Sequence, residues 1–168
     1  MSAVALRPYL PADAERCAAI FRLSVEQLAS EDYDVDQRQA WAARADDSAA
    51  FAKRLADGLT LIALVDGEAA GFASLKGADS IDMLYVDPRF ARRGVGAALI
   101  DALVKLAHAR GAQSLTSEVS DAARPLFERQ GFVAERRNLV QIDGQWLANT
   151  TMVRRLAARR ADAPPTHH

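Results

Sequence analysis

The 168-residue sequence predicts one α/β domain in which a mixed, mainly antiparallel sheet is flanked by helices. Three observations carry that expectation. The apolar spacing is helical up to Gly58 and alternates with a period of two beyond it. Two Asp-Gly pairs, Asp66-Gly67 and Asp143-Gly144, join apolar runs in the manner of tight hairpins. A long amphipathic stretch, "ARRGVGAALIDALVKLAHARG", interrupts the strands and places a helix among them.

Each element follows from its own signals. "AVALRPY" alternates weakly and reads as a short first strand. "PADAERCAAIFRLSVEQLA" opens on Pro11 and Asp13 and repeats Cys17, Ile20, Phe21, Val25 and Leu28, an amphipathic helix. "EDYDVDQRQAWAAR" is an acidic loop running into a second short helix, and a third spans 48–56 with Gly58 as its stop. "LTLIALVDGEAAGFASLK" is a hairpin, and "SIDMLYV" a strand antiparallel to its predecessor. The long helix aligns Val95, Leu99, Leu103 and Leu106 and stops at Gly111. "QSLTSEVS" is a strand, "DAARPLFERQGF" a short helix ended by Gly131, and a last hairpin closes the chain. Without repeat or linker, residues 1–157 are expected to form the domain and 158–168, with His167 and His168, a disordered tail.

Composition removes whole classes of function. A net charge of −1 supplies no field for nucleic acid or an acidic membrane, so any anion site is local. The lone Cys17 sits in a helical apolar pattern and reads as a small core residue rather than a nucleophile. The start lacks a signal peptide's basic and apolar regions, and no apolar run approaches the ~18–20 residues that span a bilayer. The expected location is cytoplasmic, and no metal site is expected.

The segment "VDPRFARRGVGAAL" concentrates charge and bare backbone where the long helix begins. The first N–H groups of a helix lack intrahelical partners and carry the positive end of its dipole. Glycine removes the Cβ that would keep an anion's oxygens away. Arg92 and Arg93 add bidentate contacts or neutralise charge. The alternative is a helix start with solvated arginines and glycines used for close packing. No P-loop matches, and the dinucleotide fingerprint fails because Leu99 replaces the third glycine and hairpins, not βαβ, precede the loop.

The blocks "IDMLYVDP", "ARRGVGAALI", "LTSEVS" and "ARPLFERQGF", in this order, resemble the GNAT superfamily of Gcn5-related N-acetyltransferases over nearly the whole chain. "YDVDQRQAW", "PLFERQGF" and "GQWLANTTM" narrow the likeness to the YafP-like branch. The resemblance implies the GNAT acyl-CoA N-acyltransferase fold, acetyl-CoA as co-substrate, and transfer to the primary amine of a small molecule or peptide by direct attack. The family signature Q/R-x-x-G-x-G/A wraps the CoA pyrophosphate. Gly94, Val95, Gly96 and Ala97 match it behind Arg92 and Arg93, but Ala91 replaces the first Gln or Arg and leaves an adjacent arginine to substitute. Leu84, Tyr85 and Val86 stand where the family pairs a strand with the pantetheine arm. Ser120 stands where many members carry an asparagine that contacts the cofactor; its other reading is an N-cap for a helix starting at Asp121. Phe127 replaces the tyrosine that many members use as acid, which leaves this cofactor-side position without a proton to donate.

Aminolysis of a thioester needs a deprotonated amine, a stabilised oxyanion and a leaving thiolate. The family resemblance implies that backbone N–H groups near Tyr85 serve the oxyanion. Asp82 lies inside an apolar strand, where alternation puts it on the face of Leu84 and Val86; it is either a base or the partner of an arginine. Glu118 on the next strand is the second candidate base. Solvent protonates the thiolate without difficulty, with Tyr33 as a replacement acid or, alternatively, a residue packed against Trp41. The acceptor wall is assigned to Tyr33, Trp41, Trp146 and Asn149. Glu31, Asp32, Asp34 and Asp36 around Tyr33 suit a cationic amine, unless they form a solvated loop that caps the next helix. A homodimer is left open. Two rivals follow from the departures at Ala91 and Phe127: a non-catalytic acyl-CoA-binding module, and an α/β domain with no CoA site.

Overall fold

The computed structural model describes residues 3–157, so the tail expected at 158–168 lies outside the described residues. Strand β1 (Val4–Pro8) leads through a short 3-10 turn into helix α1 (Ala14–Leu23), which continues as a π-helical turn over Ser24–Leu28. Helices α2 (Val35–Ala42) and α3 (Ser48–Asp57) follow. Strands β2 (Leu59–Val65), β3 (Glu68–Lys76) and β4 (Ser80–Val86) precede α4 (Val95–Ala109), β5 (Ser114–Ser120), α5 (Arg124–Arg129), β6 (Val133–Ile142) and β7 (Gln145–Arg155).

These elements follow their local signals closely. The two Asp-Gly turns carry positive φ at both positions, 52° and 79° in the first and 45° and 79° in the second, the twist that a right-handed hairpin needs. β3 is buried continuously from Ala70 to Leu75 because helices cover both its faces. The buried hydroxyls of Thr60 and Ser74 meet across β2 and β3 at 2.7 Å, and Thr60 also bonds the Leu55 carbonyl, so neither polar group is stranded. Helix α5 begins at Arg124 rather than Asp121. Ser120 Oγ therefore accepts the Ala123 N–H at 3.2 Å within the preceding turn and is not the helix cap.

The sheet runs β1-β2-β3-β4-β5-β7-β6. All neighbours are antiparallel except β4 and β5, which are parallel and joined by only two rungs, Ser80 opposite Thr116 and Ile81 opposite Ser117. Beyond Ile81 the two strands part. Helix α4 braces this seam from one face: Leu99, Ile100 and Leu103 pack on Ala63, Leu75 and Ile81 of one half and on Leu115, Val119 and Met152 of the other. Helices α1 and α3 cover the opposite face with Cys17, Phe21, Phe51 and Leu55 over Ile62, Phe72 and Met83.

One irregularity redirects the middle of β4. Ser74 pairs with Met83 and Leu75 with Ile81, so Asp82 is an extra, bulged residue. The bulge breaks strict alternation. Leu84 and Val86 pack toward α4, whereas Met83 and Tyr85 pack toward α1, and Asp82 reaches α3. Asp82 is thus not on the face of Leu84 and Val86, as unbroken alternation had implied.

Candidate active site

The loop into α4 is held from beneath. Asp87, 1% exposed, accepts the Arg89 N–H at 2.9 Å, the Arg16 guanidinium at 2.6 Å and the Arg89 side chain. Burial alone would raise the Asp87 carboxyl, but its arginine partners more than reverse this and hold it below the usual range. Phe90 is buried below, with the Arg89 and Arg93 guanidinium carbons 5.4 and 5.7 Å from its ring centre. Arg92 and Gly94 both take positive φ, 63° and 79°. Such alternation turns successive N–H groups into one concavity. The first helical bond runs from the Ala98 N–H to the Gly94 carbonyl, so the N–H groups of Val95, Gly96 and Ala97 precede it. Arg92 and Arg93 are exposed beside them.

The two glycines of this loop have different reasons to be there. Gly94 needs its positive φ, and a Cβ there meets nothing within 4 Å. Gly96 has ordinary helical geometry, but a Cβ on it would sit 2.6 Å from Leu126 Cδ2 of α5. Its absence lets α5 close against α4, a packing role alongside the expected anion contact.

Just before the loop, a slot of about 150 Å³ follows the parted edges of β4 and β5. Leu84, Tyr85, Val86, Ser120 and Leu126 line it, and the π-helical turn contributes Val25 and Leu28. The backbone along its β4 side is open. The Asp87 N–H bonds the Ala70 carbonyl of β3, and antiparallel ladders alternate every second residue. The Tyr85 N–H therefore belongs to β3, and those of Leu84 and Val86 face the slot. The expectation of N–H donors near Tyr85 moves to its two neighbours. Phe127 is buried against Phe132, ring centres 5.0 Å apart, and lines the bridge between the slot and the cleft beyond.

That cleft, about 360 Å³, opens beside Trp41, Tyr85 and Ser120, which also line the slot. Tyr33 and Asn149 line it as expected; Trp146 does not. Alternation along β7 buries Leu147 beside Tyr33 and turns Trp146 outward, 54% exposed, with its carbonyl held by Gln37 at 2.8 Å. The Tyr33 hydroxyl donates to the Ala148 carbonyl and accepts the Asp121 N–H at 2.9 Å. Burial pushes its phenol up. Its ring meets Trp41 edge-on at 5.5 Å. With its one proton committed, Tyr33 is a strut between loops and not the free acid considered from sequence.

Both carboxylates expected as bases line the cleft, in different company. Arg54 of α3 donates its Nε to Asp82 Oδ2 at 2.8 Å and a terminal nitrogen to Oδ1 at 3.1 Å. Burial pulls the Arg54 guanidinium down, and Asp82 more than restores it. Asp82 therefore takes the ion-pair alternative. Glu118 is exposed to the cleft and held by neutral donors only: Asn138 Nδ2 at 2.7 Å and the Thr151 hydroxyl at 2.8 Å. Its charge has no cationic partner among the described residues. Asn138 also bonds Asn149 Oδ1 at 3.0 Å, joining Glu118 and Asn149 in one network. The acidic loop lies elsewhere. Asp34 caps α2 by accepting the Gln37 N–H at 2.8 Å, and Glu31, Asp32 and Asp36 are exposed and do not line the cleft. The acidic loop thus takes its solvated, helix-capping alternative, and the cleft carries the basic side chains of Arg44, Arg54 and Lys76.

A sequence profile of the "Acetyltransferase (GNAT) domain" matches residues 29–155. The chain belongs to the GNAT acetyltransferase family. The "Uncharacterized N-acetyltransferase YafP" of Escherichia coli (strain K12) is 35% identical over 152 residues, 90% of this chain and 96% of that protein. A Rhodopseudomonas palustris crystal structure, described as "GCN5-Related N-acetyltransferase: Aminotransferase, Class-II", is 58% identical with a TM-score of 0.91, covering 93% of this chain and 98% of that one. The PaiA N-acetyltransferase of Thermoplasma acidophilum, solved in complex with coenzyme A, shares the GNAT fold at a TM-score of 0.74 and 18% identity, over 91% and 99% of the two chains.

Sequence reasoning about this GNAT enzyme missed the cleft's cations. Arg54 had a signal: an arginine directly before the buried Leu55 of an amphipathic helix, matching an aspartate inside an apolar strand. Arg44 and Lys76 had none, because a helix end and a strand end are ordinary places for basic residues. Among the described residues no group of His, Cys, Asp and Glu is placed to hold a metal, and no helix is long and apolar enough to cross a membrane.

Proposed function

We propose that this chain transfers the acetyl group of acetyl-CoA to a primary amine by direct attack. One observation carries the reading: the parted β4 and β5 present the N–H groups of Leu84 and Val86 to a slot that lies between the end of β4 and the charged cleft. An extended amide-bearing chain pairs with such an edge as an added strand would. The residues present fit the group. The N–H groups of Val95, Gly96 and Ala97, with Arg92 and Arg93, hold the pyrophosphate. Leu84 and Val86 pair with the pantetheine arm, and one of their N–H groups bonds the thioester carbonyl where negative charge develops. Ser120 and Phe127 flank the arm near its reactive end. The relative solved with coenzyme A supports the same use of the fold.

Acetyl-CoA supplies the acetyl group as a thioester. Glu118 attracts the acceptor's ammonium and takes its proton, since its charge is the one in the cleft without a counter-cation. The amine nitrogen forms the C–N bond as the C–S bond breaks; the nitrogen releases its remaining extra proton to water, and water protonates the departing thiolate. Phe127 has no proton to give, and none is needed for a thiol of ordinary acidity near pKa ~8.5. Tyr33, Trp41 and Asn149 shape the acceptor's side.

The test is thiol release from acetyl-CoA across an amine panel, with calorimetric titration of CoA alongside. Glu118→Gln is expected to lower turnover by about 10²-fold or more while CoA affinity stays within twofold or so. Undiminished turnover removes Glu118 as base. Tight CoA binding with no thiol release from any amine replaces the enzyme reading with the binding module.

A further inference from the structure

Three cations and two anions line the acceptor cleft: Arg44, Arg54 and Lys76 against Asp82 and Glu118. The bidentate pairing of Arg54 with Asp82 cancels one of each. What remains is an unbalanced set: Glu118 as the one anion, and Arg44 and Lys76 as two cations with no hydrogen bond or ion pair among the described residues. The field of Arg44 reaches inward as well. Burial pushes the Tyr85 phenol up, while Arg54 and Arg44 pull it the other way. Trp41, Tyr85 and Phe21 supply apolar wall between the charges. A purely cationic acceptor would find one attractive group and meet repulsion from the other two.

We infer that the acceptor is an amine carrying a second, anionic oxygen group, a carboxylate or a phosphate, which Arg44 and Lys76 hold while Glu118 receives the ammonium. This rests on the acetyl-transfer reading and adds the substrate class to it. A planar guanidinium and a mobile ammonium suit carboxylate and phosphate alike. The anionic group is a spectator. The ammonium gives one proton to Glu118, the nitrogen bonds the acetyl carbon, the C–S bond breaks, the nitrogen releases its second proton to water, and the thiolate is protonated by water.

The experiment compares acids with their neutral counterparts. The full chain is assayed by CoA thiol release on ω-amino acids of increasing length and on aromatic α-amino acids. Each is set against its carboxamide, and the ω-amino series also against the matching ω-aminoalkyl phosphates. An acid or phosphate is expected to exceed its neutral partner in kcat/KM by about tenfold or more, the worth of one charge-assisted bond in a partly enclosed site. Which of the two leads identifies the anion. Arg44→Gln and Lys76→Gln are each expected to shrink that ratio toward one, mostly through KM, with CoA affinity unchanged by calorimetry. Neutral amides or polyamines accepted as well as the acids overturn the inference and leave acetyl transfer standing. Ratios that survive both substitutions overturn it too. CoA binding without thiol release in the presence of any acceptor overturns both readings together.

Discussion

A single carboxylate, Asp87, ties three things together: the end of β4, the α1 arginine Arg16 and the start of the glycine loop. Neutralising this buried carboxylate weakens charge-assisted bonds to two partly exposed arginines, so Asp87→Asn is expected to cost about 1–2 kcal/mol in denaturant unfolding. The pH dependence follows from its depressed carboxyl. An aspartate held low in the folded state contributes fully above its unfolded value, near ~3.9, and loses that contribution as pH falls through the folded value below it. Asp13 and Asp121, each lowered first by a hydrogen bond from an arginine, act in the same direction. Stability measured from pH 6 downward is therefore expected to fall below about pH 4 in the wild type and to fall less steeply in D87N. Parallel slopes would remove Asp87 from the acid response.

At the level of elements, the two glycines at the head of α4 separate binding from packing. Gly94→Leu is expected to weaken CoA binding by more than about tenfold with a modest stability cost, because its φ of 79° disfavours a side chain but no atom lies in the way. Gly96→Ala is expected to lower the melting temperature through its contact with Leu126, and the double variant G96A/L126A to recover much of that loss. Thermal unfolding and calorimetry together distinguish the two positions; identical behaviour would refute the division. The hairpins at Asp66-Gly67 and Asp143-Gly144, helix α4 and the glycine loop were legible because their signals are local. Asp82 was half legible. The sequence raised the arginine partner as one of two readings, but the bulge that sends it toward α3 comes from the register between β3 and β4, which alternation within one strand does not encode. Trp146 was misplaced for a related reason: only its pairing with the rest of the sheet says which face of β7 is inward. The cleft's cations come from the turn just past α2, from α3 and from β3, segments that only the folded chain brings together.

Across the whole molecule, the contrast among neighbouring amides of β4 is a direct readout of the binding mode. Residue-resolved hydrogen exchange on the ligand-free chain is expected to show slow exchange for the Tyr85 N–H, paired with β3, and faster exchange for Leu84 and Val86. Saturating CoA should protect the latter two and raise global stability by about 2.7 kcal/mol at a hundredfold excess over its dissociation constant. Unchanged exchange at Leu84 and Val86 with CoA bound would show that the arm does not pair with this strand.

Two rungs between β4 and β5 also make the sheet two plates on a short hinge, which α4 spans on one face while α2 touches Tyr85 of one plate and Trp146 of the other. A break along that hinge sacrifices two rungs of ladder, whereas a break elsewhere in the sheet sacrifices five or more. The fewest ladder rungs therefore lie along the route proposed above for the pantetheine arm. On that proposal, a ligand in the seam acts as a splint across the sheet's weakest line, tying together two plates that their own ladder joins at two rungs.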